Sequence, residues 1–247
     1  NALSVNAQGR VEASTLSITC SFTIEHAGSF NLELPMDRSA TAYPFAYRVE
    51  DRLDLEHYLR PQYADPDGVL QDWARQFLRD PQVSIADGQG DHRLGSREIL
   101  IAMTHHIQRT LEYAARDEEG TQSPVETLAL GTGSCRDFAL LMMEAARRLG
   151  YASRFVSGYL YDPALDQDAE SGITVVGSGS THAWVQVFLP GPGWVAFDPT
   201  NALFGGTHLI RVATARDPSQ ASPVSGTWMG EPEDFMGMEV DVQVTRR

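Results

Sequence analysis

The chain has 247 residues, of which 42% are hydrophobic and 21% are charged, so it can form one large domain or two small ones. Its 19 basic and 33 acidic residues give a formal net charge of −14. Because such a chain repels phosphate backbones and anionic lipids, we predict no nucleic acid and no membrane as partner. No window comes near the roughly 18 uninterrupted apolar residues of a transmembrane helix, and no signal-peptide pattern opens the sequence. We therefore expect a cytoplasmic location, unless a leader has been removed.

The first regular pattern is an alternation of apolar and hydroxyl side chains over residues 16–24, which predicts a half-buried strand with Cys20 on its core face. The alternation resumes after a turn at 26–29, so residues 16–34 are predicted to form a hairpin. The only other cysteine is Cys135, and two cysteines do not make a disulfide framework. Because burial in apolar surroundings keeps a thiol inert, we interpret Cys20 as structural.

Two domains are predicted, an N-terminal antiparallel β region at 1–60 and a larger domain at 61–247. Residues 53–66 mix aromatic, charged and proline residues, and we interpret them as a linker that packs on the second domain. Apolar residues at helical spacing predict a helix over 67–79 and a longer one over 96–116, with Ser96 as its N-cap.

Metal sites are poorly supported. His105 and His106 are adjacent, which turns their rings about 100° apart on a helix and argues against shared ligation. The acidic residues between 162 and 170 lack the pattern of an EF-hand loop. With one cysteine outside the hairpin and scattered histidines, we predict no metal and no cofactor.

Residues 131–150 predict a glycine-rich turn that leads into a helix with a cysteine in its first turn. One apolar stripe of this helix consists of Phe138, Leu141, Met142, Ala145 and Leu149. A cap at Gly133 or Ser134 would place Cys135 among the unpaired N–H groups at the positive end of the helix dipole, where a thiolate is favoured. A small buried structural cysteine fits the same pattern, so the helix alone leaves both interpretations open.

The chain after this helix is predicted to form strands. Residues 152–161 are rich in β-branched and aromatic side chains, and 181–189 and 194–201 predict two more strands joined by a proline- and glycine-containing turn. The acidic segment at 162–180 has no periodicity, which predicts a long loop.

Two polar residues on these strands, His182 and Asp198, could serve the thiol as a base and as the group that orients that base. They share a face only if the connection between the strands has an odd length or a bulge intervenes. We predict a register in which Phe188 lies opposite Trp194, because Asp198 then lies diagonal to His182, within side-chain reach. A regular ladder that pairs Leu189 with Trp194 would contradict this dyad.

Four motifs together resemble the core of bacterial transglutaminase-like cysteine proteases and amidases. In chain order they are Gly133–Ala139, Arg154–Tyr161, His182–Val185 and Gly193–Asn201. The resemblance implies a papain-like α+β fold, in which N-terminal helices precede a cysteine-bearing helix that packs on an antiparallel sheet. It also implies that part of a β-sandwich precedes this core, over residues 1–60.

The same resemblance implies that Cys135 is a nucleophile, His182 a general base and Asp198 an orienting acid. The implied reaction is acyl transfer on a peptide or carboxamide bond through a thioester, and the implied partner is a peptide or protein amide substrate. We expect hydrolysis, with transglutaminase-type amine transfer as one alternative and a non-catalytic peptide-binding module as another. The backbone N–H of Cys135 is a candidate oxyanion donor. Arg136 and Asp137 are expected to support the helix start rather than to react.

Overall fold

The computed structural model describes residues 33–86, 92–116, 120–161 and 181–223, and a few further positions at 19, 21, 23–25, 231, 237 and 240–244. The predicted hairpin lies almost entirely outside these residues, as do Cys20 and the predicted loop at 162–180. The partial β-sandwich and the domain boundary at residue 60 therefore stay predictions.

The described residues contain five α-helices. They are α1 (Val49–Leu59), α2 (Val69–Gln76), α3 (Ser96–Thr110), α4 (Pro124–Leu130) and α5 (Cys135–Arg148). Helix α3 ends six residues before its predicted end, because Leu111 is extended and the chain enters a short strand. No helix in the described part of the chain is long and apolar enough to cross a membrane.

Helix α1 corrects the prediction of a linker over residues 53–66. It buries Leu55 but exposes Val49 and Leu53, so its apolar residues do not form the single stripe by which an amphipathic helix is recognised. Glu50 and Asp51 in its first turn favour the helix through its dipole. The sequence pattern was therefore too weak to reveal this helix.

Ten strands form three sheets in the described residues. The strands are β1 (Ala42–Tyr43), β2 (Ser84–Ala86), β3 (His92–Gly95), β4 (Glu112–Tyr113), β5 (Thr132–Gly133), β6 (Ser153–Leu160), β7 (Thr181–Leu189), β8 (Gly193–Asp198), β9 (Leu203–Phe204) and β10 (Leu209–Ala215). The main sheet is antiparallel with the order β10-β6-β7-β8-β9. A smaller antiparallel sheet has the order β1-β3-β2, and β4 pairs with β5 in parallel.

Helix α5 lies at the centre of the molecule, against β6 and β7 on one side and α2, α3 and α4 on others. Every residue from Asp137 to Arg147 is buried, so the helix is enclosed nearly all round rather than along the one predicted stripe. This confirms the predicted α+β architecture, in which the cysteine-bearing helix packs on an antiparallel sheet.

The register of β7 and β8 is the predicted one, with Phe188 opposite Trp194. Leu189 pairs with Gly193, so the connection has three unpaired residues, which is an odd number. Gly191 and Gly193 have φ values of 101° and 78°, which glycine adopts without strain. Because the connection between β7 and β8 has an odd number of residues, the ladder directs the side chains of His182 and Asp198 to the same face of the sheet.

Candidate active site

Cys135 is the first residue of α5 and is buried, with Ser134 as the N-cap. The start of the helix is held by Asp137, whose Oδ2 accepts hydrogen bonds from the backbone N–H and the hydroxyl of Ser134, both at 2.8 Å. The thiol thus lies at the end of the helix where unpaired N–H groups and the dipole favour an anion. This agrees with the predicted cap.

Asp137 also connects the helix start to the preceding chain. Its Oδ1 accepts a hydrogen bond from Arg116 Nη1 at 3.0 Å and one from the backbone N–H of Gln122 at 2.7 Å. The carboxylate is fully buried, so these donors and the charge of Arg116 compensate for its loss of water. Asp137 therefore supports the helix start, as expected.

His182, near the start of β7, and Asp198, at the end of β8, form a direct pair. His182 Nε2 and Asp198 Oδ2 are 2.8 Å apart, and both side chains are inaccessible to solvent. Asp198 is itself fixed, since its Oδ1 accepts from the backbone N–H of Thr200 at 2.9 Å and its Oδ2 from Asn201 Nδ2 at 3.0 Å. A carboxylate held in this way can fix both the orientation and the tautomer of the imidazole.

Charge determines the protonation state of this pair. Burial opposes protonation of His182, but the Asp198 carboxylate and the Cys135 thiol together outweigh burial and raise the pKa of His182 to about 10. Burial likewise opposes ionisation of Asp198, but His182 and the hydrogen bonds from Asn201 and Thr200 hold its pKa below the usual value. Nδ1 of His182 is buried, and Cys135 favours the protonated ring through a side-chain hydrogen bond and through its charge.

The raised pKa of His182 makes stability depend on pH. Because the folded chain binds this proton more tightly than the unfolded chain, the stabilisation is complete below pH 6.5 and is lost as the pH rises toward 10. We expect the difference in free energy of unfolding between wild type and His182→Gln to fall over that range by an amount on the order of a few kcal/mol. Urea unfolding at several pH values measures it. A difference that stays constant from pH 6.5 to 10 would mean that His182 is neutral in the folded chain.

Trp184 packs beside this pair in the interior of the protein. Its ring stacks on His182 with centroids 6.1 Å apart, and it is buried among Val156, Leu160, Ala196 and Leu209. Gly158, which lies opposite His182 on β6, makes room for it, since a Cβ there would be 2.8 Å from Trp184 Cη2 and 2.1 Å from the carbonyl oxygen of Ile210.

Three residues that support the site were not found from sequence. Arg116 and Gln122 reach Asp137 from 21 and 15 residues away, and no local pattern signals such contacts. Asn201 belongs to one of the four motifs but had no predicted role, although its amide donates a hydrogen bond to Asp198. A polar residue three positions after a candidate catalytic carboxylate is the one signal that could have indicated it.

The described residues contain no group of three or more His, Cys, Asp or Glu arranged to hold a metal ion. His105 packs against Phe204, and His106 packs against Phe77 and Trp73. These two histidines therefore have aromatic packing roles.

Comparison with known proteins shows what part of this chain is similar to. Residues 84–199 match the profile of the transglutaminase-like superfamily. A candidate cysteine protease from Cytophaga hutchinsonii has a similar fold, with a TM-score of 0.52 and 22% sequence identity over 75% of this chain and 54% of that chain.

Two uncharacterised bacterial proteins are similar in sequence. ML0607 of Mycobacterium leprae is 31% identical over 150 residues, which are 61% of this chain and 50% of ML0607. YebA of Bacillus subtilis is 35% identical over 69 residues, which are 28% of this chain and 9% of YebA. The chain thus spans half or less of these relatives. Over residues 84–199, the chain is similar to the core domain of the transglutaminase-like superfamily.

Proposed function

We propose that the chain is a cysteine-dependent acyl-transfer enzyme, with Cys135 as nucleophile, His182 as general base and acid, and Asp198 as the group that orients His182. The observation that carries this proposal is the buried His182–Asp198 pair at 2.8 Å, beside a thiol at a helix N-terminus that acts on the same imidazole. A base, its orienter and a nucleophile are the parts that thiol catalysis requires.

In the proposed reaction, the thiol proton of Cys135 passes to Nδ1 of His182, because Nε2 faces Asp198. The sulfur attacks the carbonyl carbon of a peptide or carboxamide, a C–S bond forms, and an electron pair moves to the carbonyl oxygen. When the C–N bond breaks, His182 gives its proton to the departing amine or ammonia, and a thioester remains. Water that loses a proton to His182 then attacks the thioester, which releases the acid and restores the thiol.

Hydrolysis is the favoured outcome, because it needs no site for a second substrate. Amine transfer would replace water by an amine and would leave that amine on the acyl group. A biotinylated amine offered with a glutamine-containing protein separates the two outcomes by the presence or absence of biotin in the product. The chain contains no lysine, since all 19 basic residues are arginine, so its own side chains cannot compete as acceptors.

A non-catalytic peptide-binding module is less consistent with the site. A binding cleft gains nothing from a charged pair buried out of contact with solvent, and burying such a pair costs desolvation energy. The buried pair is useful where an imidazole must be held and its proton affinity tuned.

The pH dependence of cysteine alkylation tests the proposed function. Iodoacetamide should label Cys135 rapidly well below pH 8, and His182→Ala should slow this labelling at least about tenfold at pH 6, because the thiolate loses its counter-charge. Mass spectrometry of tryptic peptides follows Cys135 on residues 117–136 and Cys20 on residues 11–38, so Cys20 serves as the internal reference. Slow labelling that rises only near pH 8.5, unchanged by His182→Ala, would contradict an activated thiolate.

A further inference from the structure

The tetrahedral intermediate of the proposed reaction carries a negative charge on the former carbonyl oxygen, which needs hydrogen-bond donors. The backbone N–H of Cys135 is one candidate, because it opens α5. Two polar side chains beside it are already engaged, since the Ser134 hydroxyl and Arg116 Nη1 both donate to Asp137. We propose that the phenol hydroxyl of Tyr113 is the second donor to the substrate's carbonyl oxygen, an inference that rests on the proposed function.

The backbone places Tyr113 beside the start of the cysteine helix. In the parallel pair of β4 and β5, Tyr113 lies opposite Gly133, two residues before Cys135. The bond from Glu112 N to the Gly131 oxygen and the bond from Ala114 N to the Gly133 oxygen, each 2.9 Å long, hold Tyr113 on both sides. Its position relative to Cys135 is therefore fixed by the ladder.

The side chain of Tyr113 lies along the same face of α5 as the thiol. Its ring meets the ring of Phe138 edge to face, with centroids 6.5 Å apart, and Phe138 follows Cys135 by three positions, which places the two on one face of the helix. Phe138 is buried and anchors one side of the tyrosine, whereas 36% of Tyr113 remains exposed. In the described part of the chain, the Tyr113 hydroxyl has no hydrogen-bond partner. A donor that is positioned but not engaged by any described residue is available to a ligand.

The phenol is also in the right protonation state. Partial burial, together with the negative charges of Cys135 and Asp137, outweighs the effect of Arg136 and raises the pKa of Tyr113 above its usual value. The hydroxyl therefore keeps its proton at neutral pH and can donate it in a hydrogen bond. The influence of Cys135 on this pKa means that the phenol lies within electrostatic reach of the sulfur.

Two reactions of Cys135 separate oxyanion stabilisation from every other role of Tyr113. Alkylation by iodoacetamide is attack on a saturated carbon and forms no oxyanion, whereas acylation by p-nitrophenyl acetate passes through a tetrahedral oxyanion. We expect Tyr113→Phe to lower the acylation rate at least about tenfold, since removal of one oxyanion donor costs up to about 10²–10³-fold in rate. The alkylation rate should stay within about twofold of wild type, which also shows that the variant is folded.

The possible outcomes are distinct. If both rates are unchanged in Tyr113→Phe, the proposal for Tyr113 is overturned and the proposed function stands. If both rates fall together, Tyr113 acts on the thiolate rather than on the oxyanion, and the proposal is again wrong. If wild type is acylated no faster than Cys135→Ala, the proposed function itself fails.

Tyr58→Phe is the matched control, because it also removes one hydroxyl from a tyrosine that packs edge to face on an aromatic ring. Tyr58 contacts Trp194 at 5.1 Å between centroids, and Trp194 lies opposite Phe188. Phe188 is six residues along β7 from His182, which is roughly 20 Å. Neither rate should change in this variant.

Discussion

Replacing Asp198 by alanine is expected to lower the rate at which Cys135 is acylated at pH 7 by about three orders of magnitude. The carboxylate holds His182 Nε2 at 2.8 Å, and its charge is the main influence that outweighs burial of the ring. Without it, the imidazole loses both its orientation and its affinity for the proton that it must take from the thiol. The burst of p-nitrophenolate released from p-nitrophenyl acetate measures this rate.

Asp198→Asn is the informative companion to that variant. An amide keeps an acceptor oxygen that can still bond His182 or the backbone N–H of Thr200, but it removes the charge. Its loss of rate should therefore be smaller than that of alanine. A folded Asp198→Ala protein with the wild-type rate would show that His182 does not depend on this carboxylate.

The largest effect on stability is expected from Glu144 in the middle of α5. Its Oε1 lies 2.7 Å from Arg147 Nη1, its Oε2 accepts the backbone N–H groups of Gln62 and Tyr63, and neither charged side chain reaches solvent. Glu144→Ala removes the counter-charge of a buried guanidinium and leaves those N–H groups without an acceptor. We expect it to lower the free energy of unfolding by about 3–5 kcal/mol, measured by urea denaturation.

The matched control for this prediction is the pair formed by Arg48 and Asp51. Arg48 is the N-cap of α1 and Asp51 lies in its first turn, so the pair has the same spacing of three residues and a similar distance, 3.0 Å, but the Arg48 side chain is 72% exposed. Asp51→Ala should therefore cost less than about 1 kcal/mol. If Glu144→Ala and Asp51→Ala lower the free energy of unfolding by equal amounts, burial is not what makes the pair of Glu144 and Arg147 important for stability.

Much of the site was predictable because its chemistry lies on strongly periodic segments. The apolar spacing from Phe138 onward, with Gly133 and Ser134 before it, indicated a helix start at Cys135, which the structure confirms within one residue. The two-residue period of strands and an odd turn length were enough to predict the register of β7 and β8. That register brings His182 within hydrogen-bond distance of Asp198.

Other features depended on contacts between distant parts of the chain. Helix α1 has no single apolar stripe and becomes recognisable only when Leu55 is seen to be buried in the fold. Arg116 gives no local sign that it will pair with Asp137, and Tyr113 is brought beside Gly133 by a ladder of only two residue pairs. Periodicity in a sequence reports which face of a segment is apolar, but it does not report which other segment will cover that face. The identity of these neighbours is decided by packing, since it depends on shapes and charges that meet only when the chain has folded.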